Sequence, residues 1–434
     1  MIIQRDLLDR IKLFIKRNEF ISIIGPRQSG KTVFLGILKE YLVNELKVKK
    51  HLIQGITFED RKLLMEFERD PVLFVKSFMP KDTGQKFYLM IDEFQYAQGG
   101  GQKLKLIYDT LKGIKIIITG SSSLDIKANV GKYMVGRILN FNLFPFSFRE
   151  YLSVFDKRLW AVYDENYKKV SAYMFTGKHA GIKRGKDLFY GELLREYEGY
   201  ATWGGYPAVT LAKTDIERKK ILSDIYNNYI LKDIKTLLEL ATEKNLFLLS
   251  QYLATQIGNI TVYQNLSRSS NLEYRSLKKH IAMLEETFII RQIKPFFKNR
   301  QKELSKNPKI YFLDMGFRNN LMENMNALEK RSDAGAIIEN ACFIRLNELY
   351  ESMNKINFWR TKAGAEVDFI LHAENNIIPI EIKYSPFTQE KLSKSIVSFM
   401  GSFNPNHAIV LTKDYWGIMK KGKTKILFAP VYYL

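Results

Sequence analysis

The octapeptide Gly25-Pro26-Arg27-Gln28-Ser29-Gly30-Lys31-Thr32 constrains this chain more than any other feature of its 434 residues. It has the form G-x-x-x-x-G-K-[ST], follows the apolar run Phe20–Ile24 and precedes the amphipathic segment Val33–Leu42. A strand before and a helix after separate a phosphate-cradling loop from a chance Gly-rich turn. The glycines let backbone N–H groups curl around phosphates, and the start of the helix adds its positive end. Lys31 is expected to reach the β- and γ-phosphates of ATP, with the Thr32 hydroxyl as a magnesium ligand. Further strand candidates at Ile53–Phe58, Phe87–Ile91, Ile114–Thr119 and Ile138–Leu143 alternate with helical patterns. That alternation predicts a parallel α/β sheet.

The run Phe87-Tyr88-Leu89-Met90-Ile91 ends in Asp92 and Glu93. Asp92 is expected to hold magnesium through water and Glu93 to polarise the attacking water, which marks hydrolysis rather than nucleotide binding alone. Thr119-Gly120-Ser121-Ser122-Ser123 closes the next strand. Two readings stand side by side: a hydroxyl such as Ser121 beside the γ-phosphate, or an ordinary Ser/Gly turn. Arg137, after Gly136, reads as an arginine finger offered to a neighbouring copy, as a sensor within its own chain, or as a surface arginine.

In their order these elements resemble the AAA+ ATPases, and most closely a prokaryotic group that joins a small AAA+ domain to a C-terminal domain of uncharacterised function. The matching residues are the P-loop, Ile91-Asp92-Glu93, Thr119-Gly120-Ser121-Ser122-Ser123, Gly136-Arg137, Ser147-Phe148-Arg149-Glu150-Tyr151 and Gly204-Gly205-Tyr206-Pro207. The resemblance covers nearly the whole chain. The basic, Gly-punctuated segment Phe175–Lys186 lies outside that pattern and carries no function here.

Lys and Arg number 67 against 46 Asp and Glu, a formal charge of +21. Such an excess favours polyanions, although a solvated lysine-rich surface would give the same count. The excess coincides with helical patterns at Leu246–Ile257, Thr261–Ser267 and Tyr274–Glu285, and with strand-like runs Phe288–Ile293 and Lys309–Leu313 around a basic loop. Three helices and a two-stranded wing form a winged-helix pattern. Its expected DNA contacts are Arg268, Arg275, Lys278 and Lys279 on the helices, and Lys298 and Arg300, with Lys294, Lys302 and Lys306, on the wing. These are phosphate contacts, sensitive to salt and largely blind to sequence.

Towards the C-terminus, Asp368 and the pair Glu381 and Lys383 fall on neighbouring strand-like runs, with Glu339 upstream on a helix. Glu381 and Lys383 are two apart on a strand and face one side. This looks like the restriction-endonuclease-like fold, which implies Glu339, Asp368 and Glu381 as Mg²⁺ or Mn²⁺ ligands and Lys383 as the residue that orients or deprotonates water. A salt-bridged pair on a strand edge is the plainer reading of the same residues.

The expected fold class is α/β, with four parts. They are an AAA+ parallel sheet (1–147), a helical lid (148–240), a winged helix (241–330) and a restriction-endonuclease-like domain (331–434). The expected function is a Mg²⁺-dependent ATPase that binds and processes DNA, with a nuclease-like C-terminal domain. The alternative is a nucleotide-switched scaffold or regulator whose C-terminal domain binds a protein partner and is catalytically inert. A homo-oligomer would follow from a finger role for Arg137. The single cysteine, Cys342, lies in an apolar run and reads as a core residue in a reducing cytoplasm. The first residues lack the apolar core of a signal peptide, and no segment has membrane-span length.

Overall fold

A computed structural model describes residues 3–80, 84–121, 130–178, 181–227, 243–297, 306–350, 356–373 and 376–434. Ser122, Ser123, Lys298, Arg300 and Lys302, as well as His179 and Ala180 of the basic segment, lie outside the described residues. Internal contacts divide the chain into two compact units. The first is Met1–Phe146 with Glu286–Ile289; the second is Ser147–Glu285 with Ile290–Leu434.

The first unit is built on five strands, β1 (Phe20–Ile24), β2 (Ile53–Thr57), β3 (Phe87–Asp92), β4 (Ile114–Gly120) and β5 (Ile138–Asn142). All pairings are parallel, in the order β2-β3-β4-β1-β5. β1, β3 and β4 are buried along their full length, which is why they are near-continuous apolar runs rather than alternating ones. Ile21 and Ile23, Tyr88 and Met90, and Ile117 share one core with Phe34 and Leu38 of the helix Lys31–Asn44 and Leu7, Leu8 and Ile11 of the helix Asp6–Lys12. Each such buried side chain stabilises by about 1.5–3 kcal/mol.

In the second unit the helices Phe148–Phe155, Lys157–Thr176, Tyr190–Trp203, Pro207–Leu211 and Asp215–Tyr226 come first. The helices Glu243–Thr255, Tyr263–Ser270 and Tyr274–Glu286 follow, then the antiparallel hairpin β6 (Ile290–Pro295) and β7 (Lys309–Phe312). After the helices Met315–Leu321 and Ala334–Tyr350 come β8 (Ile356–Arg360), β9 (Glu366–Ala373), β10 (Asn376–Lys383), the helix Lys394–Phe403, β11 (His407–Thr412), β12 (Gly417–Lys421) and β13 (Thr424–Pro430). These strands form one mixed sheet in the order β12-β13-β11-β10-β9-β8-β6-β7.

This sheet corrects the expected divisions at 240 and 330. The hairpin read as a separate wing is hydrogen-bonded into the C-terminal sheet, with Lys294 opposite Asn357 and Pro295 opposite Phe358. Buried polar links join the same regions. Asp314 accepts from the backbone N–H of Gly205 and of Phe317, both at 2.8 Å, which ties the turn after Trp203 to the segment after β7. Arg318, 2% exposed, donates to the Ala254 carbonyl at 2.8 Å and to Asp333 at 2.7 Å. A lid, a winged helix and a C-terminal domain with independent cores would not share such groups, because a buried polar group without its partner is costly. The helix Lys394–Phe403 and the hairpin β12–β13 were not anticipated. Asp314→Ala leaves two buried N–H groups unpaired, and chemical denaturation should show the second unit destabilised by roughly 2 kcal/mol or more.

Candidate functional site

The loop between β1 and its helix is shaped by two glycines. Gly25 faces the chain leaving β5, and a Cβ there would lie 2.1 Å from the Leu143 carbonyl oxygen. Gly30 has φ 91°, a left-handed conformation that favours glycine, and begins the helix Lys31–Asn44. Pro26 and Ser29 are buried, whereas Arg27 and Gln28 are exposed at the loop's apex. Arg5 pins the loop from below, donating to the Ser29 carbonyl at 2.9 Å and to the Phe144 carbonyl at 2.5 Å. Lys31 is 5% exposed, and its Nζ donates to the carbonyls of Gly25 (3.0 Å) and Pro26 (2.8 Å). Burial lowers its pKa to about 8, against the opposing pull of Glu93 and Asp92.

Asp92 ends β3 beside this loop. Its Oδ2 accepts from Thr32 Oγ1 at 2.6 Å, its Oδ1 from the Thr119 hydroxyl of β4 and from the Glu93 N–H at 3.1 Å. A hydroxyl and a carboxylate brought together in this way are the hard oxygen ligands that magnesium takes, so Thr32 and Asp92 fit the expected ion. Glu93 and Ser121 lie next to them, Ser121 being buried at the end of β4. Gln95 donates to both Glu93 and Ser121. Nothing in the octapeptide or the acidic pair pointed to Gln95; its position two residues past Glu93 was the only signal.

Arg137 is elsewhere. Its carbonyl accepts from Phe20 N–H at 2.8 Å, at the start of β1, while the P-loop leaves the other end. Five residues of strand separate the two by about 15 Å, and the guanidinium Nε donates to Asp109 at 3.1 Å. This corrects the reading of Arg137 as a sensor of its own nucleotide.

On the helix Tyr274–Glu286, Leu277, His280, Ile281 and Leu284 are buried while Arg275, Lys278 and Lys279 are exposed. Arg268 on the preceding helix is exposed as well. Helical spacing thus segregates the cations onto a solvent face.

The C-terminal carboxylates are close but divided. Phe369 pairs with Ile380 across antiparallel β9 and β10, so Asp368 and Glu381 follow on neighbouring strands. Asp368 accepts from Ile382 N–H at 2.7 Å; burial and the Glu339 carboxylate push it up to about 7, despite Lys309. Glu381 is 2.8 Å from Lys383 Nζ and accepts from Ser393 Oγ at 2.9 Å. Glu339 accepts from Tyr311 OH at 2.5 Å and is 3.3 Å from Lys309 Nζ, which also lies 2.5 Å from Glu366. Lys309 is 1% exposed; burial would lower its pKa, but the carboxylates of Glu339, Glu366 and Asp368 raise it. Among the described residues, the oxygens of Glu339, Asp368 and Glu381 do not all gather within 4.8 Å of one another. As placed, the three carboxylates are not gathered around one ion, and Glu339 shares the buried Lys309 ammonium with Glu366.

The parallel sheet, the loop after β1 and the acids ending β3 define the first unit as a P-loop domain of the AAA type. Residues 17–152 match a family model described as an AAA domain. Residues 194–328 and 334–431 match two domains of unknown function, DUF8612 and DUF4143. Similar proteins include an uncharacterized protein of Haemophilus influenzae, 23% identical over 396 residues that span 88% of this chain and 87% of that one. Another, from Methanocaldococcus jannaschii, is 24% identical over 381 residues, 86% of this chain and 76% of its own. Among solved structures, the Walker-type ATPase of Pyrococcus abyssi shares 15% identity, with 74% of this chain and 96% of that chain covered at a TM-score of 0.42. Among the described residues, no helix is long and apolar enough to cross a membrane.

The depressed pKa of Lys31 has a consequence for binding. Only the charged amine neutralises phosphates, so above about pH 8 binding must take up a proton. The nucleotide Kd, measured by titration calorimetry, should be flat from about pH 6.5 to 7.5 and rise by up to about tenfold per unit above pH 8.

Proposed function

We propose that the chain hydrolyses ATP with magnesium at the P-loop and uses the nucleotide state to control its grip on DNA. The observation that carries the first half is the convergence of Lys31, Thr32, Asp92 and Glu93 at one end of the parallel sheet. Lys31 draws charge from the β- and γ-phosphates, while Thr32 and Asp92 hold the ion. Magnesium, when bound, neutralises charge that builds on the phosphate oxygens. Glu93 would take a proton from the attacking water, and the Ser121 hydroxyl would stand beside the γ-phosphate. Lys31→Ala should abolish turnover, and Glu93→Gln should keep ATP bound while slowing hydrolysis by about 10²-fold or more. Steady-state phosphate release beside nucleotide binding tests both; undiminished release in both variants would refute the site. A finger role for Arg137 would require a second copy of the chain.

The DNA half is supported by Arg268, Arg275, Lys278 and Lys279 on an exposed face in a chain of +21. Three helices followed by a hairpin, with Ile260 bridged to Lys309, keep the winged-helix order. For the C-terminal strands the buried Lys309 favours the second reading, a module that binds without cleaving. Replacing Arg275, Lys278 and Lys279 by Ala should weaken duplex binding for all sequences and flatten its log–log salt dependence by about 2–3 units. In the same titrations with Mn²⁺, plasmid should remain intact; cleavage lost in Glu381→Ala and in Lys383→Ala would instead establish a nuclease.

A further inference from the structure

Glu93 carries φ 53°, a left-handed conformation uncommon for a residue with a side chain. Backbone strain of this kind is retained where the surroundings dictate it, often at working sites. It is followed by a single 3-10 turn, Phe94–Tyr96, whose anchor is Phe94, buried against Phe58 and Phe67 with ring centroids 5.7 and 5.9 Å away. The turn brings Gln95 back over Glu93. One amide nitrogen, Gln95 Nε2, donates to Glu93 Oε2 and, at 3.3 Å, to Ser121 Oγ. The other end of the amide, Oε1, is buried without a partner. Reversing the amide would set an oxygen against the Glu93 carboxylate, so the assignment is the one electrostatics requires.

From this arrangement we infer that Gln95 is a positioning residue for hydrolysis, holding the Glu93 carboxylate and the Ser121 hydroxyl in a fixed relation. Two hydrogen bonds from one nitrogen tie the residue after β3 to the residue after β4. Because Ser121 Oγ accepts a hydrogen bond from Gln95, its own O–H stays available to donate towards the phosphoryl group. Because Gln95 occupies only Oε2, Glu93 keeps Oε1 for the attacking water. The unpaired Gln95 Oε1 is an acceptor beside that carboxylate, and a buried acceptor without a partner is uncommon enough to call for a role.

This inference rests on the proposed ATPase activity, and the test separates the two. In the full-length chain, Gln95→Ala should reduce kcat by about 10–100-fold while the Kd for Mg·ATP changes by less than about twofold. Trapping of ADP with tetrafluoroaluminate, a mimic of the transferring phosphoryl group, should weaken alongside kcat. Gln95→Glu keeps the side chain's length but places a second carboxylate against Glu93, and should lose turnover to a similar degree with ATP still bound. Thermal melts of both variants should match the parent. Turnover within about twofold of the parent in Gln95→Ala, or equal loss of ATP binding and turnover, would overturn the positioning role alone. A parent chain with no Lys31-dependent turnover would overturn it together with the activity on which it rests.

Discussion

The carboxylate of Asp92 is the point on which the first unit depends. It is buried at the end of a central strand, and its two oxygens accept from the P-loop helix through Thr32, from β4 through Thr119 and from the next residue's N–H. Removing any one of these donors leaves a buried charge less well compensated, at a cost far above that of a surface contact. The P-loop helix, β3 and β4 are thereby joined at one carboxylate. Lys31, Glu93 and Ser121 inherit their positions from this junction, and Arg5 secures the same loop from its other side.

A different solution holds the second unit together. Its long-range links are cations and acids taken out of water: Arg318 between Ala254 and Asp333, Asp314 under the Gly205 turn, and Lys309 between Glu339 and Glu366. Such groups add little net stability over well-packed apolar ones, but each tolerates only the partner for which it was desolvated. They make one body of segments that composition and pattern would divide into three. Among the C-terminal carboxylates, Glu339 and Glu366 share the buried Lys309, while Glu381 lies against Lys383.

Much of the first unit was legible beforehand. β1 was read at Phe20–Ile24, and β3 and β4 each ended within one residue of the expected limit, because a strand buried on both faces must be an unbroken apolar run. The P-loop was legible for a related reason: Gly25 is required by the close approach of the Leu143 carbonyl and Gly30 by its left-handed backbone. The sensor reading of Arg137 failed because a residue type next to a strand does not tell which end of a parallel sheet it occupies, and Arg137 precedes β5 at the end away from the P-loop. The hairpin β6–β7 was recognised as a hairpin, but its pairing with β8 depends on residues more than sixty positions away, beyond any local pattern.

The sequence by itself determined the nucleotide loop, the acidic strand end and the segregation of cations onto one helical face, since each follows from local backbone geometry or from periodicity. Only the tertiary structure decided that Gln95 bridges Glu93 and Ser121, that the wing belongs to an eight-stranded sheet, and that Lys309 sits among the C-terminal acids. The physical reason is common to all three. A polar side chain's role is fixed by which partner it meets when water is withdrawn, and that partner is chosen by packing between distant segments rather than by neighbours in the chain.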